Sequence, residues 1–170
     1  QILKELKEIK FDKGTKDFQP TNLEITKINI DNSADNVIPG LAGASFNIRF
    51  NNKHTSYKLK NKINKIIKQI CNKNKSKYKI EYSVSGEAFL TKPNKTTFMI
   101  QNTIKKVTKI KPKLSTTGGT SDARFIRKIA PCLEFGLVGK TMHKVGECVS
   151  LSDLKRLTLI YTKILDNYFK

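Results

Sequence analysis

The segment Leu23-Glu24-Ile25-Thr26-Lys27-Ile28-Asn29-Ile30 alternates apolar and polar side chains with a period of two. Such alternation predicts a β-strand with one buried face. The segment Ala44-Ser45-Phe46-Asn47-Ile48-Arg49-Phe50 repeats the pattern and predicts a second strand. Its aromatic side chains share one face, so Arg49 is expected on the opposite face.

The elements around these strands complete the predicted first half of the chain. Helical spacing of apolar residues over Gln1 to Lys10 predicts the tail of a truncated helix. The same spacing over Ser56 to Cys71 predicts an amphipathic helix with a solvated lysine face. Tyr78 to Val84 alternates again and predicts a third strand. The order helix, strand, strand, helix, strand matches a ferredoxin-like βαββαβ module that lacks its first strand.

The second half is predicted to be mostly helical. Its predicted elements are a helix over Thr96 to Ile110, a short helix over Ser121 to Lys128, a short buried strand over Pro131 to Phe135 and a helix over Leu151 to Phe169 opened by Ser152-Asp153. These elements bury too little surface to stand alone, so further strands are expected from sequence outside this chain. We therefore predict an α/β (α+β) protein with domains at residues 1–85 and 86–170.

Composition limits the possible functions of the 170-residue chain. The net charge is +19, but only four of the 33 basic residues are arginine and tryptophan is absent, which weighs against nucleic-acid recognition. No apolar stretch is long enough to span a bilayer. Three cysteines without a C-x-x-C pair indicate reduced thiols and a cytoplasmic location. Because the sequence begins with Gln1 and not with an initiator methionine, we expect the chain to begin inside a larger protein.

Two segments in the second half carry candidate chemistry. Gly118 and Gly119 precede a predicted helix start, where backbone N–H groups can approach an anion; an ordinary loop is the alternative. His143 could supply an imidazole to a metal, or could be a loop histidine with no such role. A hydrolytic zinc centre needs at least three protein ligands and a carboxylate base, which one histidine cannot provide. His54 has no motif around it and is expected at the surface.

Several blocks in a fixed order carry a resemblance that covers nearly the whole chain. The blocks are Asn36 to Pro39, Phe46 to Phe50, Ser85-Gly86 with Phe89 to Pro93, Thr117 to Phe125, and Thr141 to Lys144 with Glu147 to Val149. With these blocks the chain resembles the di-zinc aminoacylase and carboxypeptidase family. Asp35, Ala123 and Leu137 depart from the residues usual in that family, which are asparagine, glycine and proline.

The resemblance implies a metal-dependent amide hydrolase. In the family, a catalytic domain holds two zinc ions, which cobalt can replace, and an inserted lid domain forms a homodimer. Residues 1–85 would then be the lid and residues 86–170 the C-terminal segment of the catalytic domain. Only the last metal ligand, matching His143, would lie in this chain. The general base and the other ligands would lie upstream, so no catalytic residue is expected here.

The resemblance also implies the substrate contacts. Gly118, Gly119 and Thr120 match a loop that grips a substrate carboxylate through backbone N–H groups. Arg49 and Ser85 match lid positions that contact the far end of the substrate. Asn36 matches a residue that reaches across the dimer into the neighbouring site. From the residues alone, a turn role for Asn36 and a strand-end hydroxyl for Ser85 remain alternatives.

The implied reaction is hydrolysis of N-succinyl-diaminopimelate to succinate and diaminopimelate, in lysine and diaminopimelate biosynthesis. Two alternatives remain open. The chain could be an inactive truncated fragment that keeps lid dimerisation, or it could belong to a related deacylase or dipeptidase of the same family. In each case no nucleic acid or membrane partner is expected, and the 170-residue chain alone is predicted to be inactive.

Overall fold

A computed structural model describes residues 1–32, 35–118 and 121–170. The chain divides into two compact units, Gln1–Leu90 and Thr91–Lys170. Within the part of the chain that the structure describes, no helix has the length and apolar character needed to cross a membrane.

Unit 1 contains an antiparallel hairpin. Strand β1 spans Asn22–Asn29 and strand β2 spans Gly43–Arg49. Leu23 pairs with Ile48 and Ile25 pairs with Phe46, so the alternating apolar side chains share one face. A register shift follows Ile25. Both strands confirm the period-two prediction to within one residue at each end.

Two helices accompany the hairpin in unit 1. Helix α1 spans Ile2–Lys7 and helix α2 spans Ser56–Lys73. The Thr55 side chain caps α2 by accepting a hydrogen bond from the Lys58 N–H. The core is formed by buried residues of α1, β1 and α2, namely Leu6, Leu23, Ile63, Ile67 and Cys71. The buried Cys71 is a free thiol that fills this core.

The third predicted strand, Tyr78 to Val84, is wrong as a strand: the segment has no assigned secondary structure. Its alternation is nevertheless real, because Ile80 and Tyr82 pack on the core while Lys79 and Glu81 are exposed. The Tyr82 hydroxyl also donates to Asn64 Oδ1 at 3.0 Å. A strand needs a neighbour for its backbone N–H and C=O groups, and no described segment pairs with this one.

Unit 2 is helical. Helix α3 spans Lys95–Thr108, α4 spans Ala123–Ile126 and α5 spans Leu151–Tyr168. Helix α3 opens with a capping box between Asn94 and Thr97 and packs against α5. Asn167 Nδ2 donates to the Thr103 hydroxyl at 3.0 Å, which links the two helices.

Three predictions for unit 2 need correction. Pro131 to Phe135 is neither a strand nor buried, since no described strand is available to pair with it. Helix α4 has four residues, shorter than predicted. Helix α5 is capped by the Ser150 side chain, which accepts from the Asp153 N–H, rather than by Ser152-Asp153.

Much of the apolar surface of unit 2 is exposed. Its buried hydrophobic residues are Ile104, Ala123 and Ile160, whereas the exposed ones include Phe125, Ile129, Val145, Leu151, Leu165 and Phe169. A stable domain rarely leaves so many large apolar side chains uncovered. The helices and the two-stranded sheet confirm the α+β class, while the ferredoxin-like arrangement remains a prediction.

Candidate functional site

His143 lies in a loop between α4 and α5 that is closed by its own hydrogen bonds. We call residues 141–148 the histidine loop. The Thr141 hydroxyl donates to the Cys148 carbonyl at 2.8 Å and accepts from the Cys148 N–H at 3.0 Å. The Lys144 N–H donates to the Thr141 carbonyl at 3.0 Å, which adds a tight turn around His143. The loop is therefore fixed at both ends by one side chain.

The backbone of His143 is left-handed, with φ +63°. Residues other than glycine rarely adopt this conformation because the Cβ crowds the following carbonyl. The His143 N–H donates to Glu147 Oε2 at 3.3 Å, which helps to hold the turn. The side chain is exposed, and its imidazole forms no hydrogen bond within the described residues.

No group of three or more His, Cys, Asp or Glu side chains among the described residues could hold a metal ion. A hydrolytic zinc site needs three protein ligands, so the described residues cannot build one alone. An exposed, unpaired imidazole on a closed loop does fit the role of one ligand in a site whose other ligands come from elsewhere.

The glycine loop is only partly described. The predicted substrate contacts of Gly119 and Thr120 lie outside the described residues. Gly118 is exposed, and a Cβ at this position would meet no atom within 4 Å, which leaves room for a ligand to approach the backbone. Just beyond the loop, the Arg124 Nε–H is buried without a partner among the described residues. No sequence pattern singles out Arg124, although a guanidinium is a strong donor to carboxylates.

Arg49 and Asn36 lie at opposite ends of the β1–β2 hairpin. Arg49 is the last residue of β2, pairs with Asn22 and forms no ion pair within the described residues. Asn36 is exposed in the connection between the strands. A strand rises about 3.3 Å per residue, so the two ends of β2 lie about 20 Å apart. The structure therefore does not bring Arg49 and Asn36 into one site within a single chain.

Ser85 is exposed in the irregular segment that follows Tyr82. Without an assigned strand before it, Ser85 is not at the end of a strand as the sequence pattern suggested. Its predicted contact with a substrate stays a prediction.

Sequence analysis missed a buried polar cluster in unit 1. The Asp12 carboxylate, only 7% exposed, accepts hydrogen bonds from the Gly14 N–H at 2.5 Å and Asn51 Nδ2 at 2.7 Å. It also accepts from the Thr21 N–H at 3.2 Å and lies 3.0 Å from His54 Nε2. We call Asp12, Thr21, Asn51 and His54 the Asp12 cluster. It ties the loop before β1 to the connection between β2 and α2.

The cluster corrects the expectation that His54 is a surface residue, because its side chain is 19% exposed and contacts both Asp12 and the Phe11 ring. The pKa of Asp12 is also perturbed. Burial alone would raise it, but the hydrogen bonds from Thr21, Gly14 and Asn51 outweigh burial and hold the pKa well below its ordinary value. The sequence Asp12-Lys13-Gly14 predicts a turn. It does not predict the partners of Asp12, because Asn51 and His54 lie 39 and 42 residues away and form no local sequence pattern with it.

Comparison with models of protein families shows which family the chain belongs to. The model for peptidase family M20/M25/M40 matches residues 3–167, nearly the whole chain. The chain belongs to this family. The resemblance found from the ordered sequence blocks is thereby confirmed.

Members of the family with curated names are closely similar to this chain. A protein of Pelagibacter ubique named succinyl-diaminopimelate desuccinylase is 80% identical over 99% of the chain. Proteins of the same name from Rickettsia bellii (strain RML369-C) and Wolbachia pipientis wMel are 47% and 44% identical over 97% and 99% of the chain. The chain spans only 44%, 42% and 41% of the lengths of these three relatives.

Proposed function

We propose that this chain is the C-terminal portion of a metal-dependent enzyme that hydrolyses N-succinyl-diaminopimelate to succinate and diaminopimelate. The names and high identity of the relatives support this substrate. The structural observation that carries the proposal is the exposed, unpaired imidazole of His143 on a closed loop. The enzyme would act in the cytoplasm, in lysine and diaminopimelate biosynthesis.

His143 would be the one metal ligand that this chain contributes. When bound, two zinc ions, or cobalt in their place, would polarise the scissile carbonyl and lower the pKa of a water molecule. The imidazole of His143 must be neutral to bind, and its exposure on the loop leaves a ring nitrogen accessible. The general base and the remaining ligands would come from other parts of the enzyme.

The other proposed site residues would orient the substrate. Backbone N–H groups of Gly118, Gly119 and Thr120 would hold one carboxylate, and the open space at the exposed Gly118 supports close approach of a ligand to this backbone. Arg49 and Ser85 would contact the far end of the substrate, where the Arg49 guanidinium offers paired N–H donors to a second carboxylate. None of these groups moves a proton; each fixes the amide in position.

We also propose that residues 1–85 act as a lid that forms a homodimer. The positions of Arg49 and Asn36 at opposite ends of the hairpin support this, because the two side chains would then serve the sites of different subunits. Large apolar side chains at the same end of the hairpin as Asn36 are exposed, including Ile28, Ile30, Val37, Ile38 and Leu41. An exposed apolar patch of this kind is typical of a subunit interface.

The test compares zinc content and succinate release for the full-length protein and its His143→Ala variant. We expect the variant to lose zinc from one site and to turn over substrate at least 100-fold more slowly, because one of about three ligands is missing. His54→Gln is the matched control, because it removes the other histidine of the chain. The His54 ring contacts Asp12, whereas the His143 ring is exposed on a loop. The control should keep its zinc.

Unchanged zinc and turnover in His143→Ala would contradict the ligand assignment. The isolated 170-residue chain provides a second arm. It should release no succinate, because a single imidazole cannot hold zinc tightly enough to activate water. Zinc-dependent hydrolysis by this chain alone would contradict the view that the other ligands lie elsewhere.

A further inference from the structure

We propose that Thr141 and Glu147 are positioning residues that hold the His143 imidazole in place before a metal binds. The proposal rests on the function proposed above, in which His143 is a metal ligand. It assigns no direct metal contact to either residue. Both act through the backbone of the histidine loop.

Thr141 closes the loop. Its hydroxyl makes two hydrogen bonds to one residue, donating to the Cys148 carbonyl at 2.8 Å and accepting from the Cys148 N–H at 3.0 Å. The two ends of the segment 141–148 are thereby held together by one half-buried side chain. A segment closed in this way has lost most of its conformational freedom, so less entropy remains to be lost when His143 binds a metal.

Glu147 holds the unusual backbone of His143. The left-handed conformation at φ +63° is uncommon for residues other than glycine, and contacts around His143 stabilise it. Glu147 Oε2 accepts a hydrogen bond from the His143 N–H at 3.3 Å, and Gly146 beside it adopts φ +74°, which suits glycine. The carboxylate therefore points at the backbone of His143, and its effect on the imidazole is indirect.

Together, the contacts of Thr141 and Glu147 favour a role in presenting the His143 imidazole over a purely structural role. The loop stabilises a strained residue, yet the side chain of that residue contributes no hydrogen bond within the described part of the chain. A strained backbone that exposes a free imidazole is expected where the imidazole has a ligand to meet.

The experiment uses the full-length protein and two pairs of variants. Thr141→Val removes the hydroxyl and nearly keeps the shape, while Thr141→Ser keeps the hydroxyl. Glu147→Ala removes the acceptor, while Glu147→Gln keeps an acceptor oxygen without the charge. The readouts are hydrogen exchange of the loop amides in metal-free protein and zinc affinity by competition with a chelator.

We expect Thr141→Val and Glu147→Ala to speed exchange of the Cys148 and His143 amides and to weaken zinc binding about tenfold or more. Thr141→Ser and Glu147→Gln should stay close to the unmodified protein in both readouts. Thr162→Val is the matched control, because that hydroxyl donates to the Thr158 carbonyl on exposed α5. It should change neither loop exchange nor zinc affinity.

Two results would overturn the proposal. Faster loop exchange with unchanged zinc affinity would mean that the hydrogen bonds do not position the ligand. An equal loss of zinc in Glu147→Gln and Glu147→Ala would mean that Glu147 acts by its charge or as a ligand itself. His143→Ala, measured in parallel, separates the two proposals. If it loses zinc while Thr141→Val and Glu147→Ala do not, only the positioning role fails; if it keeps zinc, the ligand assignment fails as well.

Discussion

The buried carboxylate of Asp12 joins the loop before β1 to the connection between β2 and α2. Its oxygens accept hydrogen bonds from two backbone N–H groups and from Asn51, and they contact His54. Asn51 in turn donates from its N–H to the Thr21 hydroxyl and from Nδ2 to the Gln19 carbonyl. Since Arg49 is two residues before Asn51, the same cluster fixes the end of β2 that carries the proposed substrate arginine.

The lowered pKa of Asp12 makes the stability of unit 1 depend on pH. A carboxylate with a folded pKa below its unfolded value stabilises the fold fully above the unfolded pKa, about 3.9, and loses that contribution as the pH falls towards the folded pKa. Asp12→Asn should therefore lower the free energy of unfolding by about 2 kcal/mol at pH 7, the size expected for hydrogen bonds to a charged group. The difference from the unmodified chain should shrink below about pH 4.

Urea unfolding followed by circular dichroism at several pH values measures this difference. Asp35→Asn is the control, because Asp35 is exposed in the hairpin connection and should have little effect at any pH. An Asp12→Asn penalty that stayed constant down to pH 2 would show that the ionised carboxylate is not the stabilising form.

At the scale of elements, the β1–β2 hairpin carries two groups of proposed contact residues at its opposite ends. One end carries Arg49 beside the Asp12 cluster, and the other carries Asn36 with exposed apolar side chains. Ile38 is 91% exposed and Leu41 is 82% exposed, although both are large apolar residues. The hydrophobic effect favours covering them, which a second subunit would do.

Replacing Ile38 and Leu41 with aspartate should convert the proposed dimer of the full-length protein to monomer, because two charges would be buried in an apolar interface. Sedimentation velocity over a range of concentrations measures the change. Tyr57→Asp is the matched control: Tyr57 is 72% exposed on α2, away from the hairpin connection. A double variant that stays dimeric would place the interface elsewhere.

At the scale of the whole molecule, the net charge of +19 is not concentrated in arginine-rich motifs. Lysines occur in both units, and those of α2 lie between the apolar positions that face the core. Basic residues spread over several faces cannot all contact one duplex, so they release few counterions together.

We therefore predict weak binding to duplex DNA that disappears at moderate salt, since screening removes dispersed electrostatic contacts. A gel-shift titration at low and at physiological ionic strength tests this. Competitor duplexes of different sequences serve as the control for sequence selectivity. Tight or sequence-selective binding at physiological salt would contradict the prediction.

The local elements of this protein could be predicted from its sequence. Period-two alternation located β1 and β2, and helical spacing located α2, α3 and α5, because these periodicities depend only on the geometry of one segment. The ordered blocks identified the family for the same reason: residue identities are readable without a fold. The roles proposed for His143 and Arg49 follow from those blocks rather than from any spatial pattern.

What the tertiary structure added depends on partners that are distant in sequence or absent from any pattern. The segments at Tyr78 and Pro131 have strand-like sequences but no assigned strand, because a strand requires hydrogen bonds from a neighbouring segment. His54 meets Asp12 across 42 residues, which no local signal reveals. The left-handed backbone of His143 and the Thr141 bonds that close its loop are likewise decided by three-dimensional contacts, since an isolated histidine would avoid that conformation.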